Sequence, residues 1–519
     1  MADLSSIADP TDYGNAPGAG PLRVGGRAGF VSRSDADKPS TRSPRASAQM
    51  PGLAVVRTLW NGLEGLRRAG ETFLPKGPGE DPNNYRSRLN RTAFFNAFRR
   101  TVEGLTGLAF SDNPKLGDDV PEVMRLHWEN IDNAGTHGDV FCRQLLIDDL
   151  IDGHTFILVE FPATDGEQSA QAEMRGEVRP YWVPVRKGSI MSWRTETVEG
   201  RTVLTQVVIE ECTYEAVGAF GEQEVKRYRV LYRDQQGTIG WALLRETHDG
   251  AVVIDGEGTY PTQDEIPLAE IVSSGSRSMF ESDPPLLDLA HLNIAHYQMW
   301  SDYNWSIHKT CVPFIFGAGI AQARDDNGNP IPLTVGANTA VLVPESGASM
   351  GYVAHSGEAL GSVKAALDDL KNDMGTLGLA MLAPQKRAAE TAEAKRLDKA
   401  TSDAALSTTV RGLQDGVERA LGFHARYLRL ADGGSVAFNR DYEGLLMDAP
   451  VMQAFGTLVQ AGFPPMPVLK ALQDGGRIDE EADLDELEMQ WLMGQAAKQA
   501  MLAPDFGPTP EAEDEEDEE

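Results

Sequence analysis

Cysteine is scarce in this 519-residue chain: Cys142, Cys212 and Cys311 lie far apart, with no CxxC and no Cys/His spacing. That argues against a disulfide scaffold and a zinc module and suits a reducing compartment. Long apolar runs are missing too. The longest, such as Phe156–Phe161, are strand-sized, far short of the roughly 18 residues that cross a bilayer. The opening MADLSSIADPTDYGNAPG lacks the charged-then-apolar build of a signal peptide, so no membrane partner is expected. Basic residues are in deficit, Lys+Arg 47 against Asp+Glu 78 for a net charge of −31. A charge of that sign repels nucleic acid in bulk and removes the footprint of a DNA-wrapping protein.

Catalytic signatures are equally absent. There is no GxxxxGK[ST], HExxH or GxSxG, and the GlyAlaGly at 317–319 lacks the third glycine of a dinucleotide loop. The nine histidines are scattered, and the nearest pair, His291 and His296, is five residues apart, a spacing that does not align on a helix. Asp148, Asp149 and Asp152 beside His154 are the one grouping that a nuclease could use; at the end of an amphipathic helix such carboxylates read as a solvated face. The expectation is a protein that is not an enzyme and has no metal site and no cofactor.

What is present is a large apolar complement, 41% of residues, enough for two or three domains. Residues 1–50 are rich in Gly, Pro, Ala and Ser with scattered arginines (Arg23, Arg27, Arg33, Arg42, Arg45) and read as a disordered arm. The other end, Glu511–Glu519, has eight acids in nine residues, and residues 504–519 read as a solvated tail. Tyr85–Phe110 has helical spacing at Leu89, Phe94, Phe95, Phe98, Val102 and Leu105, with helices following near 120–131 and 139–151 and a buried strand at 155–161. Three β-rich runs, 203–210, 224–233 and 238–245, separated by turn signals, predict an antiparallel sheet region over about 178–275.

Helix returns after Asp283. Ser-Asp-Pro-Pro (282–285) supplies an N-cap residue followed by proline at the first helical position, and the helix should run to Pro313. Its aromatic and apolar residues (Trp300, Tyr303 and Ile307 on one stripe, Ile294, Tyr297 and Trp305 outside it) cover more than one face, so it needs neighbours on two sides. A second long helix is marked by Leu360, Val363, Leu367, Leu370, Met374, Leu377 and Met381, spaced by threes and fours in a narrow seam, with Asp368, Asp369 and Asp373 on its polar face. Between the two helices lies an insert, about 312–357, with strand-like runs at 312–316 and 339–343. Pro384 breaks the second helix; a third keeps helical spacing from Leu406 to Leu428, and 450–503 reads as helical. The fold class is therefore α+β, mainly helical.

Three stretches, YRSRLNRTAFFNAFRRTVEGLTGLAFSDNP (85–114), PPLLDLAHLNIAHYQMWSDYNWSIHKTCVPFIFG (284–317) and ETAEAKRLDKATSDAALSTTVRGLQDGVERALGFHARYL (390–428), together with this order of elements, resemble the portal, or head-to-tail connector, proteins of tailed bacteriophages, in a branch known only as an uncharacterised domain. None of the three is a catalytic signature. The resemblance implies a homo-oligomeric ring, by family habit of 12 copies with a formal charge of 12 × −31 = −372. The ring would sit at a capsid vertex of the virion and assemble in the host cytoplasm. Its partners would be double-stranded DNA in the channel, major capsid protein, terminase large subunit and a head-tail adaptor protein. It further implies a wing (51–282), stem helices (283–311 and 358–382) around a clip (312–357), a tunnel loop (383–390), a long wing helix (391–449) and a crown (450–503). On this plan Gln385, Lys386 and Arg387 face DNA, Asp368, Asp369 and Asp373 line the channel, and Trp300, Tyr303, Trp305, Leu367, Leu370 and Met374 pack subunits. A minor head or connector component that binds the portal is the runner-up, and a nuclease the alternative from another class.

Overall fold

A computed structural model describes residues 29–31, 38–162, 178–248, 251–273, 278–311, 314–318, 327, 347, 349–353, 358–379, 392–440, 464–474 and 482–502. Two units are separable, 1–438 and 439–519.

Order begins earlier than an arm ending at residue 50 allows. A short strand, β1 (Gly29–Val31), is present, and α1 (Pro44–Trp60) starts with the Ser43 hydroxyl accepting from Ala46 N and Pro44 in the first turn, the combination that terminates a helix cleanly. The chain turns at Asn61 into α2 (Gly62–Ala69). The single helix expected over 85–110 is two, α3 (Pro82–Arg91) and α4 (Ala97–Ala109). The break is stabilised by side chains that periodicity does not weigh: the Thr92 hydroxyl donates to Arg88 O (2.7 Å), Asn96 accepts from Arg99 N (2.9 Å) and donates to Leu59 O (2.9 Å), and Asn293 accepts from Phe98 N (3.0 Å) and donates to Phe95 O (2.8 Å).

After a two-residue strand, β2 (Lys115–Leu116), come α5 (Glu122–Trp128) and α6 (Gly138–Asp152), close to expectation. Helix α6 stops at Gly153, whose φ of 78° and whose absent Cβ, which would lie 2.5 Å from Asp283 O, both require glycine.

The antiparallel β region is divided into two sheets. The smaller joins β3 (His154–Glu160) to β4 (Tyr181–Arg186) and to β10 (Leu268–Val272), both antiparallel. The larger has the order β1-β9-β8-β7-β6-β5, built from β5 (Ile190–Val198), β6 (Arg201–Val217), β7 (Gly221–Arg233), β8 (Ile239–Glu246) and β9 (Ala251–Thr259). Phe156 and Leu158 of β3, Trp193 of β5, Val207 and Ile209 of β6 and Leu231 of β7 share one core with Phe280, while Val208, Val230, Ala242 and Leu244 fill a second on the opposite face. Alternation along each strand sorts neighbours to the two faces. The sheets are also clamped by charge: Arg229 Nη1 meets Glu160 Oε1 at 2.8 Å, and Tyr260 donates to the same oxygen at 2.8 Å.

Three long elements follow. Helix α7 (Leu287–Cys311) begins at Leu287, later than Asp283. A two-stranded antiparallel hairpin pairs β11 (Phe314–Ala318) with β12 (Ser349–Val353); the strand expected at 339–343 lies outside the described residues. Helix α8 (Glu358–Met374) ends in a π-helical turn, Gly375–Leu379, and residues 380–391, the tunnel-loop segment with Gln385, Lys386 and Arg387, lie outside the described residues. Helix α9 (Ala392–Tyr427) is 36 residues long. It lies directly on β10 because Gly412 and Gly416 have no side chain: a Cβ on either would collide with Val272 O or Ile271 Cγ1. The unit closes with β13 (Val436–Ala437) paired to β2. In the second unit, α10 (Pro465–Asp474) packs on α11 (Leu484–Leu502), and Asp483 caps α11 by accepting from Asp485 N (3.0 Å) and Glu486 N (3.3 Å).

Candidate functional site

The hairpin of helices α7 and α8 is the element with the least explanation inside one chain. Leu289 lies against Gly378 and Trp300 against Lys371, so positions rise on one helix as they fall on the other and the pair is antiparallel. The base of α7 is well buried, at Leu289, Ala290, Asn293, Ile294, His296, Tyr297 and Ser301. Ile294 and Tyr297, read from sequence as lying off the main stripe, are buried too, Tyr297 completely; Phe94, in the turn between α3 and α4, lies edge-on to Tyr297 at 5.8 Å. Beyond Ser301, among the described residues through His308, no side chain of α7 is fully buried, and the facing part of α8 before Leu367 is the same. Tyr303, Trp305, Ile307, Leu360 and Val363 remain half-buried there. At about 1.5 Å per residue, the stretch from Ser301 to Cys311 carries the hairpin roughly 15 Å past its own core.

The residues read as subunit contacts divide accordingly. Leu367 and Met374 are spent within the chain, at 1% and 0% exposure, which is packing of the helix pair and not of subunits. Leu370, Trp300, Tyr303 and Trp305 are half-buried. Trp300 stacks on His296 (centroids 6.0 Å apart), meets Tyr303 at 5.8 Å, and has the Lys371 ammonium 5.5 Å from its ring centre, within cation–π reach. Burial and the Lys371 charge hold His296 below its ordinary pKa, and neither ring nitrogen has a hydrogen-bond partner. Asp368, Asp369 and Asp373 are all exposed, and the sole described ion pair among them is a loose 3.9 Å contact from Asp368 to Lys371. The π-helical turn changes the seam: Leu377, expected to continue it, is rotated out to 53% exposure, and Gly378 takes the inward place, where a Cβ would lie 2.7 Å from both Leu289 Cδ2 and Thr101 Oγ1.

The root of α7 sits in a buried polar cluster. Asp148, Asp149 and Asp152 are 2%, 0% and 1% exposed, which corrects the reading of a solvated face. Arg57 of α1 binds Asp148 at 2.9 Å and Asp152 at 2.5 Å, Arg186 approaches Asp148 at 3.3 Å, and Ser273 N donates to Asp149 at 3.1 Å. Burial raises the pKa of Asp149 and of Asp152, against the Arg57 charge that lowers the latter. Ser282, the first residue of the Ser-Asp-Pro-Pro stretch, is buried beside these acids. It contacts His154 Nδ1 at 2.6 Å, accepts from Lys187 Nζ at 2.9 Å and donates to Gly153 O at 3.0 Å; His154 Nε2 meets Glu270 at 2.7 Å. Polarity alone pointed outward, and the partners that invert it come from α1, from β4 and from the residue after β10. Among the described residues no group of three or more His, Cys, Asp or Glu could hold a metal ion, and no helix is long and apolar enough to cross a membrane.

Residues 285–428, essentially α7 through α9, match a family described as a domain of unknown function, DUF4055. No curated protein matches the chain. Among solved structures it is similar to a chain in "Virion of native gene transfer agent (GTA) particle", at 13% identity and a TM-score of 0.35, covering 76% of this chain and 94% of that one. It is also similar to a chain in "Neck of native GTA particle computed with C12 symmetry", at 13% and 0.35, covering 76% and 92%.

Proposed function

We propose that this chain is a portal protein: one subunit of a ring at a capsid vertex, through which double-stranded DNA is packaged and ejected, and to which terminase and then a head-tail adaptor dock. The observation that carries the reading is the α7–α8 hairpin extending, among the described residues, beyond its buried base with Tyr303, Trp305 and Ile307 half-covered. Aromatic surface in that position is completed by identical neighbours standing side by side, as an oligomeric ring supplies. The exposed acids Asp368, Asp369 and Asp373 then make a channel wall that DNA passes without adhering, since each phosphate neutralised by a basic group adds salt-dependent affinity that a sliding track must avoid. Lys386 and Arg387, in the segment after α8, supply the few local contacts. The bond-making alternative loses its candidate, because the three acids a nuclease would need are buried and engaged by Arg57, Arg186 and Ser273.

Negative-stain imaging with mass measurement of the purified protein tests the reading. Rings with a central hole are expected; a persistent monomer of 56.4 kDa across salt concentrations overturns it.

A further inference from the structure

We propose that the β6–β7 ribbon is a docking arm whose apolar tip seats on the α3–α4 corner of a second copy of this chain. Strand β5 pairs with β6 only over Arg201–Ile209, and β8 with β7 only over Tyr228–Arg233. In the backbone ladder, residues 210–217 and 221–227 therefore pair with each other and with no further strand, Arg227 alone reaching back to Asp255 of β9 through its side chain, and the ladder outruns its sheet by roughly 25 Å at about 3.3 Å per residue. An isolated two-stranded ribbon in water is marginal by itself, and this one places apolar side chains at its end: Val217 is 52% exposed, Tyr214 70% and Phe220 102%.

The charges specify the partner. From Glu210 to Glu224 the ribbon has five acids (210, 211, 215, 222, 224) and no base, while from Arg86 to Arg100 the corner has five arginines (86, 88, 91, 99, 100) and no acid. Glu210, Glu211 and Glu215 are held by Lys226, Arg229 and Arg227, which leaves Glu222 and Glu224 beside the tip without an ion pair among the described residues. On the corner, Arg88 is taken by Glu80 and Arg99 by Glu103, and Arg91 and Arg100 are exposed without one.

The corner also has an apolar centre for the tip. Phe95, 40% exposed, sits between Arg91 and Arg100, and the turn that presents it is fixed to the body through Asn96 and Asn293. Both surfaces are open in a single chain, so neither satisfies the other in place. A contact between two different patches of identical chains is heterologous and propagates head to tail until it closes. The inference deepens the ring reading by naming a contact between neighbours, yet it requires only self-association.

The test is a charge exchange read by mass photometry at fixed salt. Glu222→Arg with Glu224→Arg, and separately Arg91→Glu with Arg100→Glu, are each expected to raise the concentration for half-assembly at least tenfold, and all four together to return it to within about threefold of wild type. Phe220→Ser, at a fully exposed position that leaves folding unaffected, is expected to weaken assembly without any change of charge. Assembly unchanged in the paired reversals, or no recovery in the fourfold exchange, overturns the docking and assigns the ribbon to a different protein. Wild-type rings in that case leave the portal reading standing. Exchange-sensitive oligomers that never close into rings do the reverse, and a wild-type monomer overturns both.

Discussion

His127 and His424, 297 positions apart in sequence, meet with Nδ1 of the first 2.9 Å from Nε2 of the second. The contact joins α5 to α9, with Trp182 edge-on to His424, and it requires one nitrogen to donate and the other to accept.

The accepting ring must therefore be neutral, and both rings are held below the ordinary imidazole range. Burial, with the Arg179 charge, lowers the pKa of His127 to about 4; burial, with His127 and Arg179, lowers that of His424 to about 3. Unfolded, both titrate near the ordinary 6.5. The stability they contribute is complete above that value and is lost as pH falls from 6.5 toward 4, where the unfolded chain takes up protons that the native state refuses. Each histidine adds at most about 1.4 kcal/mol per pH unit. The raised carboxylates Asp149, Asp152 and Glu160 act with the opposite slope. Urea unfolding of wild type and His424→Leu between pH 7.5 and 4.5 separates the two: the variant should show a visibly flatter loss on acidification, and parallel profiles would refute the assignment.

Arg57 neutralises two carboxylates at once. Arg57→Ala strands Asp152 in the interior and leaves Asp148 with Arg186 as its cationic partner, and breaking a buried pair from one side costs about 3–5 kcal/mol. Chemical denaturation should register that loss, with Asp152→Asn smaller. Because the cluster includes Ser282, hydrogen exchange should rise at the start of α7 before it rises in the large sheet.

Gly378→Val introduces side-chain atoms where even a Cβ comes within 2.7 Å of Leu289 and Thr101. Overpacking of that kind costs about 1–3 kcal/mol, so a lower melting temperature is expected, whereas Gly361→Ala, which meets nothing within 4 Å, should be neutral or slightly stabilising.

Trp300→Ala removes the ring shared by His296, Tyr303 and Lys371. Monomer stability should drop by about 1–3 kcal/mol, and, if neighbours complete the hairpin, assembly should fail at concentrations where the folded fraction is still high. Sedimentation compared with denaturation checks the difference.

Lys386→Glu combined with Arg387→Glu should leave assembled particles intact while reducing DNA packaging or retention. Packaged DNA per particle, measured by nuclease protection, is the readout; unchanged protection removes these residues from the channel.

Periodicity and punctuation located many elements: α5, α6, β3, the strands β6, β7 and β8, the helix–insert–helix order and the helix over Leu406–Leu428 were legible, whereas β1, β5 and β9 were not singled out. These signals are local, written in residues three, four or two apart. The misplacements share one cause. The break between α3 and α4 depends in part on Asn293, and the inward turn of Asp148, Asp149 and Asp152 on Arg57, Arg186 and Ser273, all arriving from distant segments. The division of the β region into two sheets is likewise a matter of which strand pairs with β3.

What the amino-acid order determined by itself was the inventory: acidic charge, no catalytic or metal signature, and two long helices flanking an insert. Only the tertiary structure decided which of those residues were used up. It buried the acid trio and Leu367 and Met374, paired two histidines that nothing in their spacing connects, and left Phe220, Phe95 and the outer half of the hairpin open. Burial and charge pairing are properties of neighbours in space, and a one-dimensional pattern contains no term for them.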